Sequence, residues 1–193
     1  FGSRAAHRRA PLLPTEGRRL HRVSPPAAAA MAVKIEFPEH YALCFVPLAL
    51  SWIMNFFLVI QVAIGRKRYN VQYPNLYAPP GHKDADKFNC IQRAHQNTLE
   101  SWSMVMVTML AVGLVYPISA AAAGTAWVLG RFVYGIGYAL GNPSFRMPGG
   151  LLSHVGDFPL MGMAFRIAYM AMTDPATVTA AKGYAKTHTG LEL

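Results

Sequence analysis

The sequence predicts an all-α membrane protein, a bundle of four transmembrane helices. Two observations carry that expectation. Only 14% of the 193 residues are charged, while 53% are hydrophobic. A soluble domain carries about 25% charged residues, so much of this surface is expected to face lipid. The apolar residues also fall in long runs, separated by polar, proline-containing segments, and a helical run needs about 20 residues to cross a hydrocarbon core. The length suits one compact bundle rather than a span joined to separate soluble domains.

In chain order, residues 1–30 form a basic extension rich in Arg, Ala and Pro, with six Arg and one Glu. Three readings stay open for it. It is an organelle transit segment, since such segments are Arg-rich and acid-poor; or a translated leader ahead of Met31; or an arm that docks on a partner. The main domain is expected over 31–175. From Tyr41 to Gly65, 25 residues pass without a charge, which predicts a first helix near 40–66. Pro47 and Asn55 inside it are tolerated within a helix bundle, and Arg66-Lys67-Arg68 stop it. Pro74, Pro79, Pro80 and Gly81 then mark a loop.

The next apolar run, Ser101 to Gly130, has thirty residues, too many for one ordinary span and too few for two. Pro117 supplies the break. A second helix is therefore expected over 88–116, starting inside the polar stretch, and a third over 118–140, ended by Gly141-Asn142-Pro143. A fourth is expected over 150–173, ended by Asp174-Pro175. Residues 176–193 read as a polar tail.

Up-and-down order puts the loops after the first and third helices on one side. That side carries Arg66, Lys67, Arg68, Lys83, Lys87, Arg93 and Arg146; the other has Lys34, Lys182 and Lys186, plus the Arg of the extension. Without the extension, the positive-inside rule puts the loops in the cytosol; with it, the rule is nearly silent. The net charge of +9 is the sole argument for nucleic-acid binding, and the apolar runs make the membrane the better reading.

Several polar residues then converge at the loop-side end. Arg93, Asn97 and Glu100 are spaced i, i+4, i+7 and share one helix face. Arg66 ends the first helix, Tyr134 and Tyr138 lie in the last turns of the third, with Arg131 one turn earlier, and Arg146 follows. Snorkelling to the headgroups accounts for Lys67, Arg68 and Lys87, but it accounts poorly for Asn97 and Glu100. An acid and an amide on an arginine face inside a membrane protein suggest a site, one suited to a ligand with anionic groups for the arginines and an ammonium for Glu100.

The stretch from Phe88 to Glu100, FNCIQRAHQNTLE, closely resembles the signature of the membrane-bound glutathione transferases known as MAPEG proteins. Within that family it looks most like the third type of microsomal glutathione transferase. Further matching pieces are Gly65-Arg66-Lys67-Arg68-Tyr69 with Val71 and Tyr73-Pro74, and Gly130-Arg131 with Tyr134, Gly137-Tyr138, Gly141, Pro143-Ser144 and Arg146. The likeness covers about residues 31–150.

It implies a four-helix subunit assembled as a homotrimer, with glutathione as co-substrate between subunits near the cytosolic face. Arg66, Arg93, Asn97 and Glu100 would hold the glutathione backbone and charged ends, Tyr134 and Tyr138 would line the pocket, and Arg146 would face the sulfur as the catalytic residue. A free thiol has a pKa of about 8.5, and a nearby guanidinium favours the thiolate, which would attack a hydrophobic electrophile dissolved in the bilayer, such as a lipid epoxide or hydroperoxide. The resemblance implies the endoplasmic reticulum as the compartment.

This sequence departs from the family pattern in four ways. Lys67 stands where some members have a second Arg. Arg146 matches the sulfur-facing position of leukotriene-forming relatives with a one-residue offset. A cysteine-rich tail found in some relatives is absent. The fourth helix carries His154, Asp157 and Arg166, and the last two, nine residues or about 13.5 Å apart along a helix, cannot pair within it; they are expected to face other subunits or a foreign partner. The basic extension and these charges support an alternative, a non-catalytic MAPEG-like subunit of a larger mitochondrial or plastid membrane complex.

Overall fold

The computed structural model describes residues 36–179. The basic extension 1–30 and most of the tail lie outside the described residues. A 3-10 turn, Tyr41–Cys44, leads into helix α1, Phe45–Tyr69. Helix α2 is Ala85–Gly113, α3 is Pro117–Ala139, and a second 3-10 turn, Pro143–Arg146, leads into α4, Met147–Thr173.

Local chemistry accounts for the boundaries. The basic run Arg66-Lys67-Arg68 does not stop α1; it forms its last turn, where cations meet the negative end of the helix dipole. Asn70 then takes a left-handed conformation, with φ 53°, and closes the helix by bonding back to the Arg66 carbonyl. Helix α2 begins three residues before its expected start, with Asp86 in the first turn and a Lys87–Asp84 ion pair of 3.1 Å across its N-terminus.

The apolar stretch 101–130 is broken where Pro117 stands. Leu114 to Tyr116 turn, and Pro117 takes the first position of α3, the place in a helix where its missing N–H costs least. Gly141, at φ 84°, follows the end of α3. Pro159 lies inside α4 without ending it, as neighbouring helices allow in a bundle.

All four helices contribute to one core. Met54 and Leu58 of α1, Met106, Met109 and Val112 of α2, Trp127 and Val128 of α3 and Leu160 of α4 are all buried. Trp102 Nε1 donates to Ser51 Oγ at 3.0 Å, tying α2 to α1. The outward faces are apolar as well: Trp52, Phe56, Met104, Val107, Phe165 and Tyr169 are exposed. An exposed apolar surface of this extent calls for lipid or another chain. Among the described helices, Tyr41–Tyr69 is the one long and apolar enough in its own right to cross a membrane. The others carry polar groups, such as Arg93 and Glu100 on α2, Arg131 on α3 and Asp157 on α4.

Helices α3 and α4 approach closely because glycines line their contact. A Cβ at Gly156 would stand 2.7 Å from the Trp127 nitrogen, and one at Gly130 would stand 2.6 Å from Ser153 Oγ. Small residues let helix backbones pack tightly in membranes. Gly156→Val should therefore push α4 off α3, at a cost of about 2 kcal/mol. At Gly162 a Cβ would meet nothing within 4 Å, so Gly162→Ala should be neutral or mildly stabilising. Thermal unfolding checks the pair: equal midpoints for the two variants would contradict the close approach.

Candidate functional site

At the loop end of the bundle a second buried cluster, Cys90, Ala94, Tyr134 and Tyr138, packs α2 against α3. The polar face of α2 lies next to it. The i, i+7 spacing sets Arg93 and Glu100 two turns apart, and the two side chains meet: Arg93 Nη1 donates to Glu100 Oε1 at 2.8 Å and Nη2 to Oε2 at 3.4 Å. Asn97, between them, donates from Nδ2 to Glu100 Oε2 at 3.5 Å. The Arg93–Glu100 pair is 40% and 47% exposed; such pairs contribute about 0–1 kcal/mol, so opening it to admit charged groups of a ligand costs little.

The network continues across the helix interface through Arg131. Its Nη1 donates to Asn97 Oδ1 at 2.8 Å and its Nη2 to Ser101 Oγ at 3.1 Å. The residue is 6% exposed, and its guanidinium lies 5.1 Å from the Trp127 ring and 5.2 Å from the Tyr134 ring. Its Nε is buried without a hydrogen-bond partner. Among the described residues no carboxylate is within ion-pair distance of it. A buried cation in that state is costly unless charge or water compensates it, which suits it to an anionic ligand. Sequence reasoning noted Arg131 near the site but left it out of the ligand set; an Arg in the middle of an apolar helix was the available signal.

From Arg131 the aromatic residues lead on to Arg146. Tyr134 and Tyr138 are buried and meet edge to face, with ring centroids 5.5 Å apart. The 3-10 turn after Asn142 brings Arg146 back over them: its Nη1 donates to the Tyr138 hydroxyl at 3.3 Å, and its guanidinium lies 5.2 Å from that ring. The facing tyrosines, Tyr138 first, push the Arg146 pKa up from its ordinary value, so the group stays cationic. The turn is held by Asn142 Oδ1, which accepts from the Ser144 backbone at 2.9 Å.

Two cavities flank this chain of contacts. One, of about 310 Å³, is lined by Asn97, Arg131, Tyr134, Arg146, Gly150 and His154. The other, of about 640 Å³, is lined by Tyr138, Arg93, Asn89 and Tyr77. Six of the seven residues expected at the site, Arg93, Asn97, Glu100, Tyr134, Tyr138 and Arg146, are thus connected within the chain. Arg66 is placed elsewhere. Its guanidinium donates to the Asn75 carbonyl at 2.7 Å and the Leu76 carbonyl at 3.4 Å, and it lies 4.3 Å from the Tyr73 ring. It staples the α1–α2 loop and borders a separate hollow with Gln72 and Tyr73.

Asp157 and Arg166 do not pair with each other, as their spacing requires. Asp157 instead meets His154 on its own helix, at 3.1 Å, and Arg166 lies 5.7 Å from the Tyr116 ring of the α2–α3 turn.

A family model described as the MAPEG family matches residues 44–169, from the start of α1 almost to the end of α4. The chain belongs to the MAPEG family. That membership makes it a membrane-associated protein, in agreement with the apolar helix α1, and the family includes glutathione transferases. The match takes in every residue of the polar network, from Arg93 on α2 to His154 and Asp157 on α4. The network of this MAPEG chain is mostly cationic, with the guanidinium groups of Arg93, Arg131 and Arg146 beside the carboxylate of Glu100, and the unpartnered Arg131 Nε leaves a buried donor available.

Proposed function

We propose that this MAPEG protein is a membrane-bound glutathione transferase, with peroxidase activity, that activates the glutathione thiolate for attack on hydrophobic electrophiles. One observation carries the reading: the buried Arg131 and the turn residue Arg146 face the same cavity of about 310 Å³, with Asn97 and Tyr134 between them. Neither guanidinium has a carboxylate partner among the described residues. Arg131 and Arg93 bind the glutathione carboxylates, Glu100 takes the ammonium, and Arg146 stabilises the thiolate. Lowering a thiol pKa by roughly two units requires about 2.7 kcal/mol of differential interaction, which one partly desolvated guanidinium contact supplies.

The four helices cross the bilayer together, with the polar network turned toward the bundle and the subunit contacts. The electrophile arrives from lipid. An apolar groove of about 660 Å³ between α2 and α4, lined by Met104, Val105, Met161 and Phe165, borders the site at Ser101 and Asp157 and offers such a molecule a path. The working assembly is a homotrimer in the endoplasmic reticulum membrane, in keeping with the third type of microsomal glutathione transferase, and Arg66 contributes to the glutathione site from a neighbouring subunit. The alternative, a non-catalytic subunit of a larger membrane complex, draws on the basic extension and the charges of α4, of which Asp157 has His154 as a partner within the chain.

Rapid mixing of the purified, folded protein with glutathione should give thiolate absorbance at neutral pH. Absence of that signal, in protein shown to be intact, would overturn the transferase reading.

A further inference from the structure

Helix α4 brings a second titratable pair to the cavity that holds Arg146. His154 Nδ1 lies 3.1 Å from Asp157 Oδ1 and 3.2 Å from Oδ2. Its ring also stacks on Phe158, with centroids 4.7 Å apart and planes 7° from parallel. These contacts hold the imidazole plane from two directions. In a neutral imidazole, a hydrogen on Nδ1 directed at the Asp157 carboxylate leaves the lone pair on Nε2.

Arg146, Gly150 and His154 follow one another at four-residue spacing, on one face of the helix start, and all three line the cavity of about 310 Å³. Gly150 has no side chain to fill the space between the guanidinium and the imidazole. A Cβ there would meet just Tyr134 Cδ2, at 3.8 Å. The charged and titratable groups facing His154 are therefore Arg131 and Tyr134 from α3, Arg146 from the preceding turn and Asp157 from α4. Arg146 can stabilise a thiolate, but a guanidinium that is already protonated cannot accept the thiol proton.

We infer that His154, oriented by Asp157, is the proton acceptor for the substrate thiol in the cavity it shares with Arg146. This inference rests on the proposed transferase activity. The S–H bond breaks, the proton moves to His154 Nε2, and the electron pair stays on sulfur beside Arg146. The Asp157 carboxylate balances the imidazolium so formed. When the sulfur opens a lipid epoxide, the carbon–oxygen bond breaks, the sulfur–carbon bond forms, and the oxygen takes the proton back from Nε2. His154 ends the cycle neutral. Asp157 is a positioning residue that holds the tautomer.

The test compares native full-length protein with H154Q and D157N in stopped-flow thiolate formation. His154 is exposed and Asp157 partly so, so both variants should fold, and circular dichroism verifies it. In H154Q the rate constant should fall about 100-fold, while the final amplitude, set by Arg146, is retained. Free imidazole added to H154Q should restore the rate, which it would not do for a merely structural histidine. D157N should slow the step as well, by a smaller factor. An H154Q rate within twofold of native overturns the inference and leaves the transferase reading standing. So does a loss of rate and amplitude together that imidazole does not repair. No thiolate signal from the native protein overturns both.

Discussion

Arg146→Ala is expected to bind glutathione nearly as well as the native protein yet to lose almost all of its thiolate absorbance at pH 7. Binding and thiol activation rest on different groups in the proposed site. The carboxylates and ammonium of glutathione are met by Arg131, Arg93 and Glu100, whereas Arg146 reaches the cavity from the turn before α4 and bonds to the Tyr138 hydroxyl. If the guanidinium lowers the thiol pKa by two units from about 8.5, its loss should cut the thiolate fraction at pH 7 roughly 25-fold. The sign is simple: a depressed thiol pKa favours the thiolate at every pH above it, so the deficit should shrink as pH rises past about 8.5. Titration of the thiolate absorbance in both proteins, beside calorimetric affinities, checks it. An unchanged titration midpoint in the variant would remove Arg146 from the sulfur.

Arg131→Met should do the opposite: retain the fold and lose the ligand. Methionine fills a similar volume among Trp127 and Tyr134 and removes a buried charge. Replacing buried ionic groups by apolar residues of similar volume is often neutral or stabilising, so the unfolding midpoint should hold or rise, less what the bonds to Asn97 Oδ1 and Ser101 Oγ contributed. Glutathione affinity should fall at least about tenfold, the loss expected for one charge-assisted hydrogen bond of roughly 1.5–3 kcal/mol. Thermal unfolding and calorimetry separate the two effects. A midpoint many degrees lower, with native affinity in the remaining folded protein, would make Arg131 a scaffold residue.

Much of the fold is legible in the residues in order. The uncharged run 41–65 and the thirty-residue stretch broken at Pro117 place α1, α2 and α3 to within a few residues, because run length and missing backbone N–H groups act locally. The i, i+4, i+7 spacing of Arg93, Asn97 and Glu100 puts them on one face, because helical periodicity needs no partner. The same spacing allows the Arg93–Glu100 ion pair, which sequence reasoning did not anticipate.

Long side chains are where local rules end. Four rotatable bonds let an Arg reach whichever acceptor the tertiary arrangement leaves open. Arg66 turns to the Asn75 and Leu76 carbonyls because the α1–α2 loop folds back past it, and Arg131 crosses to Asn97 and Ser101 because α3 lies against α2. The cavity has the same origin. Gly130 and Gly156 let α4 close on α3, and that approach brings His154 beside Arg131 and Arg146. The sequence by itself determined which residues are polar, which helix each occupies and, to within a few residues, where each helix ends. The tertiary structure decided which of those polar groups meet, since that depends on how closely helix backbones pack and not on spacing along any one of them.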